Sequence, residues 1–235
     1  MKIYNFFESI KGKYNEVNQD CILVDSNLKN GINFFAVIAD GMGGLDYGDL
    51  ASNESVKKLS SIIKKIPSKK FVPFNSYISD INSAFIKVNK HVREIAKDKN
   101  AEMGSTLSFV MIVNETLYLG HAGDSAIHLI SNPKTNKAII SKLTVDHNAP
   151  GSSNIITKSI GIDKNIDPQI SKIDIKNDSI ILLSSDGLTD VLREEEILGL
   201  ILKNKFSKAP SALIKAAKEK DSYDDISVAM IIISK

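Results

Sequence analysis

Stretches rich in β-branched and aromatic residues recur along this chain, and their order relative to the helical stretches is what most restricts its fold. They fall at 21–25, 33–39, 106–113, 116–121, 126–131, 137–143, 179–185 and 226–233, and short apolar runs of this kind read as strands. Asn114-Glu115, between two of them, reads as a tight hairpin turn. Two helices separate the first strands from the central ones. One spans Gly48 to Lys65. In the other, Ile78, Ile81, Phe85, Val88, Val92 and Ile95 recur at steps of three and four, which gives the helix one apolar face. Two more helices come late. One starts near Arg193 with Glu194, Glu195 and Glu196 in its first turn, where the helix dipole favours acids. The other runs from Pro210 to Lys220, with proline in the first turn where its missing N–H costs nothing. Strands and helices do not alternate as they do in a parallel βαβ protein. The pattern predicts an α+β protein with mostly antiparallel sheets and helices packed on their outer faces.

At 235 residues the chain can bury a substantial core, and no Pro- or Gly-rich linker divides it, so one domain over 1–235 is expected. A net charge of +2 implies no strong pull toward nucleic acid or a membrane surface. The lone cysteine, Cys21, rules out an internal disulfide and reads as a small hydrophobe. The start, MKIYNFFESIKGK, lacks an apolar run fit for a leader, and no stretch approaches the ~20 apolar residues of a membrane span. A cytoplasmic protein is expected.

The acidic residues have a positional pattern. Asp20 precedes one strand and Asp40 follows the next. Asp124 sits between two strands, Asp186 follows another, and Asp224-Asp225 precede the last. Antiparallel pairing puts the end of one strand beside the start of its neighbour, so Asp20 meets Asp40 and Asp186 meets Asp224. Any one Asp beside a Gly is more often a turn former or cap than a ligand. Several carboxylates at one sheet edge are different, because they repel unless a cation lies among them. Oxygen ligands without Cys or His favour a hard ion, Mg²⁺ or Mn²⁺, and a pair of such ions activates water for attack on phosphate.

Asn18-Gln19-Asp20, Asp40-Gly41-Met42-Gly43-Gly44 with Gly48 and Ala51-Ser52, Gly104-Ser105-Thr106, Gly123-Asp124-Ser125, Leu143-Thr144-Val145-Asp146-His147, Ser185-Asp186-Gly187-Leu188-Thr189-Asp190 and Asp224-Asp225-Ile226-Ser227 occur in that order. Together they resemble the metal-dependent PPM family of protein phosphatases, the protein phosphatase 2C type, in its bacterial form. The resemblance implies a sandwich of two mostly antiparallel sheets flanked by helix pairs. It also implies a hydrolase that removes phosphate from serine or threonine in a phosphoprotein, opposite a serine/threonine kinase, and a monomer is expected. Asp40 would bridge two Mn²⁺ or Mg²⁺ ions, with the Gly41 carbonyl on one and Asp186 and Asp224 on the other. Asp20 would act through bound water, and Gln19 could hold a metal-bound water too. Asp124 matches the position that shares a third, weaker ion with Asp186. Asp40, Asp186 and Asp20 are thus the expected catalytic residues.

The sequence also departs from the family pattern. Where relatives carry a phosphate-gripping arginine, this chain has Asn15; Arg93 and Arg193 are its only arginines and neither is near in sequence. Lys13 is a substitute, as a point charge without the bidentate fork. Met42 stands where some relatives use histidine as a proton donor. Only Asn148 to Ile156 separate His147 from Thr157, so the flap that relatives carry at 148–156 is strongly shortened and a more open cleft is expected. His91, His121, His128 and His147 have no zinc-type spacing, and His121 and His128, on either side of Asp124, read as packing residues. Ser105 and Ser125 belong to no nucleophile elbow. Loss of the arginine leaves open an inactive, binding-only relative, and the short flap leaves open a hydrolase of small phosphoesters. Retention of the clustered acids favours the protein phosphatase. The expected consequence of Asn15 is a weak grip on phosphate with the chemistry intact. Asn15→Arg should lower KM for a phosphopeptide in steady-state kinetics, and an unchanged KM would show that the position does not matter.

Overall fold

The structure is a computed structural model that describes the chain except residues 27, 29–30, 67–75, 152–154, 176–177 and 235. Ten strands are described: β1 (Lys2–Ile10), β2 (Asp20–Asp25), β3 (Phe34–Asp40), β4 (Leu107–Val113), β5 (Thr116–Ala122), β6 (Ala126–Ser131), β7 (Ile139–Lys142), β8 (Gln169–Asp174), β9 (Ser179–Ser184) and β10 (Ile226–Ser234). They form two five-stranded sheets, ordered β1-β10-β9-β6-β7 and β2-β3-β4-β5-β8. Every pairing within them is antiparallel. Helices α1 (Gly48–Ile63) and α2 (Ser76–Lys99) cover the second sheet. Helices α4 (Glu194–Lys203) and α5 (Ala209–Glu219) cover the first, and the short α3 (Asp186–Thr189) follows β9. This is the expected α-β-β-α sandwich.

The strand sequences explain the layers. In β3, Phe34, Ala36 and Ile38 face the other sheet, where they meet Ile181, Leu183, Ala229 and Ile231. Phe35, Val37 and Ala39, one residue out of phase, face α1 and α2. A strand buried on both faces has no polar side to show, so β3, β4, β9 and β10 read as nearly continuous apolar runs, with only Ser108 and Ser227 inside them. The amphipathic stripe of α2 lands as expected, with Ile81, Phe85, Val88 and Val92 fully buried. Asn114 takes a positive φ of 56° in the two-residue turn between β4 and β5.

Two strands were not legible in the sequence. β1 and β8 are edge strands, paired on one side only. β1 alternates between exposed and half-buried positions, and Lys2, Asn5, Glu8 and Ser9 interrupt its apolar residues. Its pairing with β10 decides its conformation, which is a long-range effect. The stretch expected at 137–143 is strand only over Ile139–Lys142. Asp186–Thr189, just past β9, is one helical turn.

Close approach of α2 to the second sheet runs through Gly120 of β5. A Cβ there would lie 2.6 Å from ring carbons of both Phe85 and Phe109. Rings packed at native density cannot move aside cheaply. Gly120→Ala should therefore destabilise the fold by about 1–3 kcal/mol, read as a fall in melting temperature. A melting temperature equal to wild type would mean that the α2 contact is looser than described.

Candidate metal-dependent active site

One end of the sandwich collects the acids, and pairing places them there. In the β2–β3 ladder Asp20 lies directly opposite Asp40. β9 and β10 pair through Ser184 and Val228, so Asp186, just past β9, lies near Asp224, just before β10. Asp124 lies in the segment where the chain leaves β5 in one sheet and enters β6 in the other. Asp40, Gly41, Met42, Gly43, Thr106, Asp124, Ile156, Asp186, Asp190 and Asp224 line a cleft of about 300 Å³. Asp20 is buried beside this cleft. The convergence expected from strand order is present, and Asp190 joins it. In the sequence Asp190 shows only as the last residue of the Ser185–Asp190 motif.

The motifs around the acids mostly hold backbone. The Asp40 N–H donates to Thr106 Oγ1 (2.9 Å) and the Thr106 N–H to the Asp40 carbonyl (2.8 Å). Ser105 Oγ donates to the same carbonyl, and the Met42 N–H donates to the Gly104 carbonyl. Gly104-Ser105-Thr106 thus fixes the end of β3. At Gly41 a Cβ would lie 2.2 Å from the Gly48 carbonyl oxygen, so the start of α1 crosses this point only because the side chain is missing. Asp20 accepts a hydrogen bond from Ser185 Oγ (2.8 Å), and Ser185 Oγ in turn accepts the Ser227 N–H. Asp225, 2% exposed, accepts the backbone N–H of Gly12 and that of Gln19, each at 2.6 Å. It ties the β1–β2 connection to the start of β10. Its position beside Asp224 was the only sequence signal for this role.

Burial and mutual repulsion push the acids toward their protonated forms. Burial, more than the neighbouring Asp225 and Asp224 charges, raises Asp20 to about 7 against hydrogen bonds from Ser227 and Ser185. Burial and the Asp124 and Asp224 charges raise Asp186 to about 8, and burial raises Asp124 to about 6. Asp40 is pushed well above the ordinary carboxylate range by burial, then by Asp20 and Asp186. Among the described residues, Asp20 Oδ1, Asp124 Oδ1 and Asp186 Oδ1 are buried without a hydrogen-bond partner. Each such orphan costs about 1–3 kcal/mol or more, and a divalent cation would remove that cost. No three His, Cys, Asp or Glu side chains among the described residues converge tightly enough to close a metal shell alone. A bound ion would therefore also need backbone or water oxygens, as the Gly41 carbonyl offers.

The remaining candidates fall outside the cleft. Asn15 reaches its rim, where Nδ2 donates to Asp224 Oδ1 at 3.4 Å. Lys13 points elsewhere: its Nζ lies 5.4 and 5.5 Å from the ring centroids of Tyr14 and Tyr223. His121 is buried, bonds Ser108 Oγ and the Val145 carbonyl, and is held down to about 3 by burial. His128 is likewise buried and lowered to about 4. His147 stacks on His121, and His91 pairs with Glu54 across α1 and α2. All four are packing or surface residues. Of the shortened flap at 148–156, residues 152–154 lie outside the described residues; Asn148 is bridged to Ile156, and Ile156 forms part of the cleft wall.

The protein phosphatase 2C family profile matches residues 12–224 of this chain. The chain is 26% identical over 248 aligned positions to a serine/threonine phosphatase (stp) of Listeria monocytogenes, covering 96% of this chain and 94% of that protein. The solved serine/threonine phosphatase of S. agalactiae superposes with a TM-score of 0.86 at 24% identity, covering 99% of this chain and 100% of that one. The catalytic domain of the serine/threonine protein phosphatase PstP, solved in complex with two manganese ions, superposes with a TM-score of 0.80 at 20% identity, covering 99% of each chain. The chain belongs to the protein phosphatase 2C family, whose members are metal-dependent hydrolases of phosphoproteins.

The raised carboxylate pKa values fix a sign. Folded Asp124, Asp20 and Asp186 keep protons up to about 6, 7 and 8, whereas the unfolded groups release theirs near 3.8. The metal-free fold therefore gains most from these groups below about pH 4 and loses that gain as pH rises through 6 to 8. A cation that pairs with the ionised acids reverses the loss. Mn²⁺ should raise the melting temperature more at pH 8 than at pH 5.5, and equal shifts at the two pH values would contradict this.

Proposed function

We propose that the chain hydrolyses phosphoserine and phosphothreonine in proteins, using water activated between two divalent ions held in the acid cleft. The single observation that carries this reading is the set of buried, partnerless carboxylate oxygens converging at one sheet edge of a protein phosphatase 2C fold. Asp40 would bridge two Mn²⁺ or Mg²⁺ ions, with the Gly41 carbonyl on one side and Asp186 and Asp224 on the other. Asp20 would hold a water through its free Oδ1, and Asp124 would share a third ion with Asp186. The manganese pair in the PstP structure supports the count of two. When bound, the ions would lower the pKa of a water and offset the charge on the phosphate oxygens.

The protein's own groups fill the other roles. Ser185 fixes the Asp20 carboxylate, and Thr106 fixes the Asp40 backbone, so the acids cannot drift apart as charge builds. Met42, on the cleft wall, has no proton to give, so the leaving alkoxide takes one from solvent. Asn15 offers an amide at the rim in place of a guanidinium. No helix among the described residues is long and apolar enough to cross a membrane. The reading of a cytoplasmic monomer that opposes a serine/threonine kinase rests on the sequence. Mn²⁺-dependent phosphate release from a phosphothreonine peptide should be readily measured and should fall by at least two orders of magnitude in Asp186→Ala. Absence of release with any divalent metal would overturn the proposal.

A further inference from the structure

Beside the acid cleft stands a feature that the hydrolytic reaction does not use. Tyr14 and Tyr223 stack with ring centroids 5.3 Å apart and planes 28° from parallel. They are 71% and 50% exposed. Scattered exposed tyrosines need no explanation, but a stacked pair on the rim of an active cleft presents a flat apolar ledge. The ledge is anchored. The Lys13 N–H donates to the Tyr223 carbonyl (2.9 Å), and Lys13 Nζ stands against both rings at 5.4 and 5.5 Å. Lys11 Nζ donates to the carbonyls of Gly12 and Asn15 and holds the same loop.

Two hollows lie alongside Tyr223. One, of about 390 Å³, is lined by Tyr14, Asn15, Val191 and Tyr223 together with Asp190, Asp221 and Asp224, and shares Asp190 and Asp224 with the acid cleft, so it takes the neutral part of a segment and not its charges. The other, of about 310 Å³, holds Lys11, Lys13 and Lys218 against Asp221 and Asp224. A path therefore runs from the cleft, across the tyrosines, to a lysine-rich hollow. With Asp224 engaged by metal, Asp221 is the one acid left among the described lining residues of that hollow, against Lys11, Lys13 and Lys218.

We propose that this ledge is a substrate-docking subsite, and that it takes an extended phosphoprotein segment with acidic residues a few positions from the phosphorylated serine or threonine. The inference rests on the phosphatase reading above and adds the sequence class of its substrate. The segment's backbone and apolar side chains lie over Tyr14 and Tyr223, while Lys13 and Lys218 meet its carboxylates. Charge complementarity selects this occupant, because a basic flanking segment would meet the lysines with like charge. It also gives Lys13 a different role from a grip on the transferred phosphate, since its ammonium stands against the rings of Tyr14 and Tyr223.

Two phosphothreonine peptides that differ only in flanking Asp or flanking Lys residues test the proposal. Wild type should show a kcat/KM about tenfold higher for the acid-flanked peptide, expressed mainly in KM. The double variant Lys13→Glu, Lys218→Glu should reverse the preference. Its gain of rate on the lysine-flanked peptide cannot come from a misfolded protein. Equal rates on the two peptides in wild type, or a preference unmoved in the double variant, would overturn the proposal. Fluorescence anisotropy of the same peptides, labelled and bound to the metal-loaded protein, separates the two readings. If neither peptide is hydrolysed, the phosphatase reading fails, yet tighter binding of the acid-flanked peptide still supports the ledge and equal binding sinks it.

Discussion

Mutual repulsion among Asp20, Asp40, Asp124, Asp186 and Asp224 has to be resisted by the scaffold that carries them. The resistance comes from the layer between the sheets. Phe34, Ile38, Val110, Leu119, Ile181 and Ile231 are all fully buried there, and a core at crystal-like density does not yield to a charge placed at its edge. The cost of burying and collecting the acids therefore falls on the protonation state of Asp20, Asp40, Asp124 and Asp186, raised by burial first and by their neighbours' charges second, and not on the geometry. A second device acts at the seam. Asp225 holds the backbone of Gly12 and Gln19, and so ties the loop that carries Asn15 to the loop that carries Asp224.

Much of this was legible in the sequence. Every strand with both faces buried announced itself as an apolar run, and α2 announced its apolar stripe. The strand-end placement of the acids anticipated their meeting, because antiparallel register turns sequence position into spatial neighbourhood. β1 and β8 stayed hidden for the same reason in reverse. Half-exposed edge strands carry mixed side chains, and only the partner strand makes them strands. Asp190 and Asp225 were visible as residues but not as roles. One lines the cleft and the other clamps backbone, and a string of letters does not distinguish the two. Asp225 differs from its neighbour Asp224 only in which way its side chain points.

Lys13 and the histidines teach a related lesson. A lysine near a missing arginine reads as its replacement, yet its direction is decided by two aromatic rings, one of them far away in sequence. His121 and His128 flank a catalytic-looking acid, yet alternation along β5 and β6 turns both into the interior, where burial keeps them neutral. Residue type suggests chemistry, but side-chain direction decides whether that chemistry is available.

The strand order has a consequence for how the protein is made. β1 has a single partner in its sheet, β10, and β10 lies between β1 and β9. Synthesis runs from β1 to β10, so the first strand stays without its neighbour until the last has left the ribosome. Asp224 and the Asp225 clamp arrive with that last strand. A chain that stops short of β10 lacks the strand that joins β1 to β9 in the first sheet, and its acid cleft is incomplete. The acid cleft is thus complete only once β10 has taken its place between β1 and β9, whatever has folded before it.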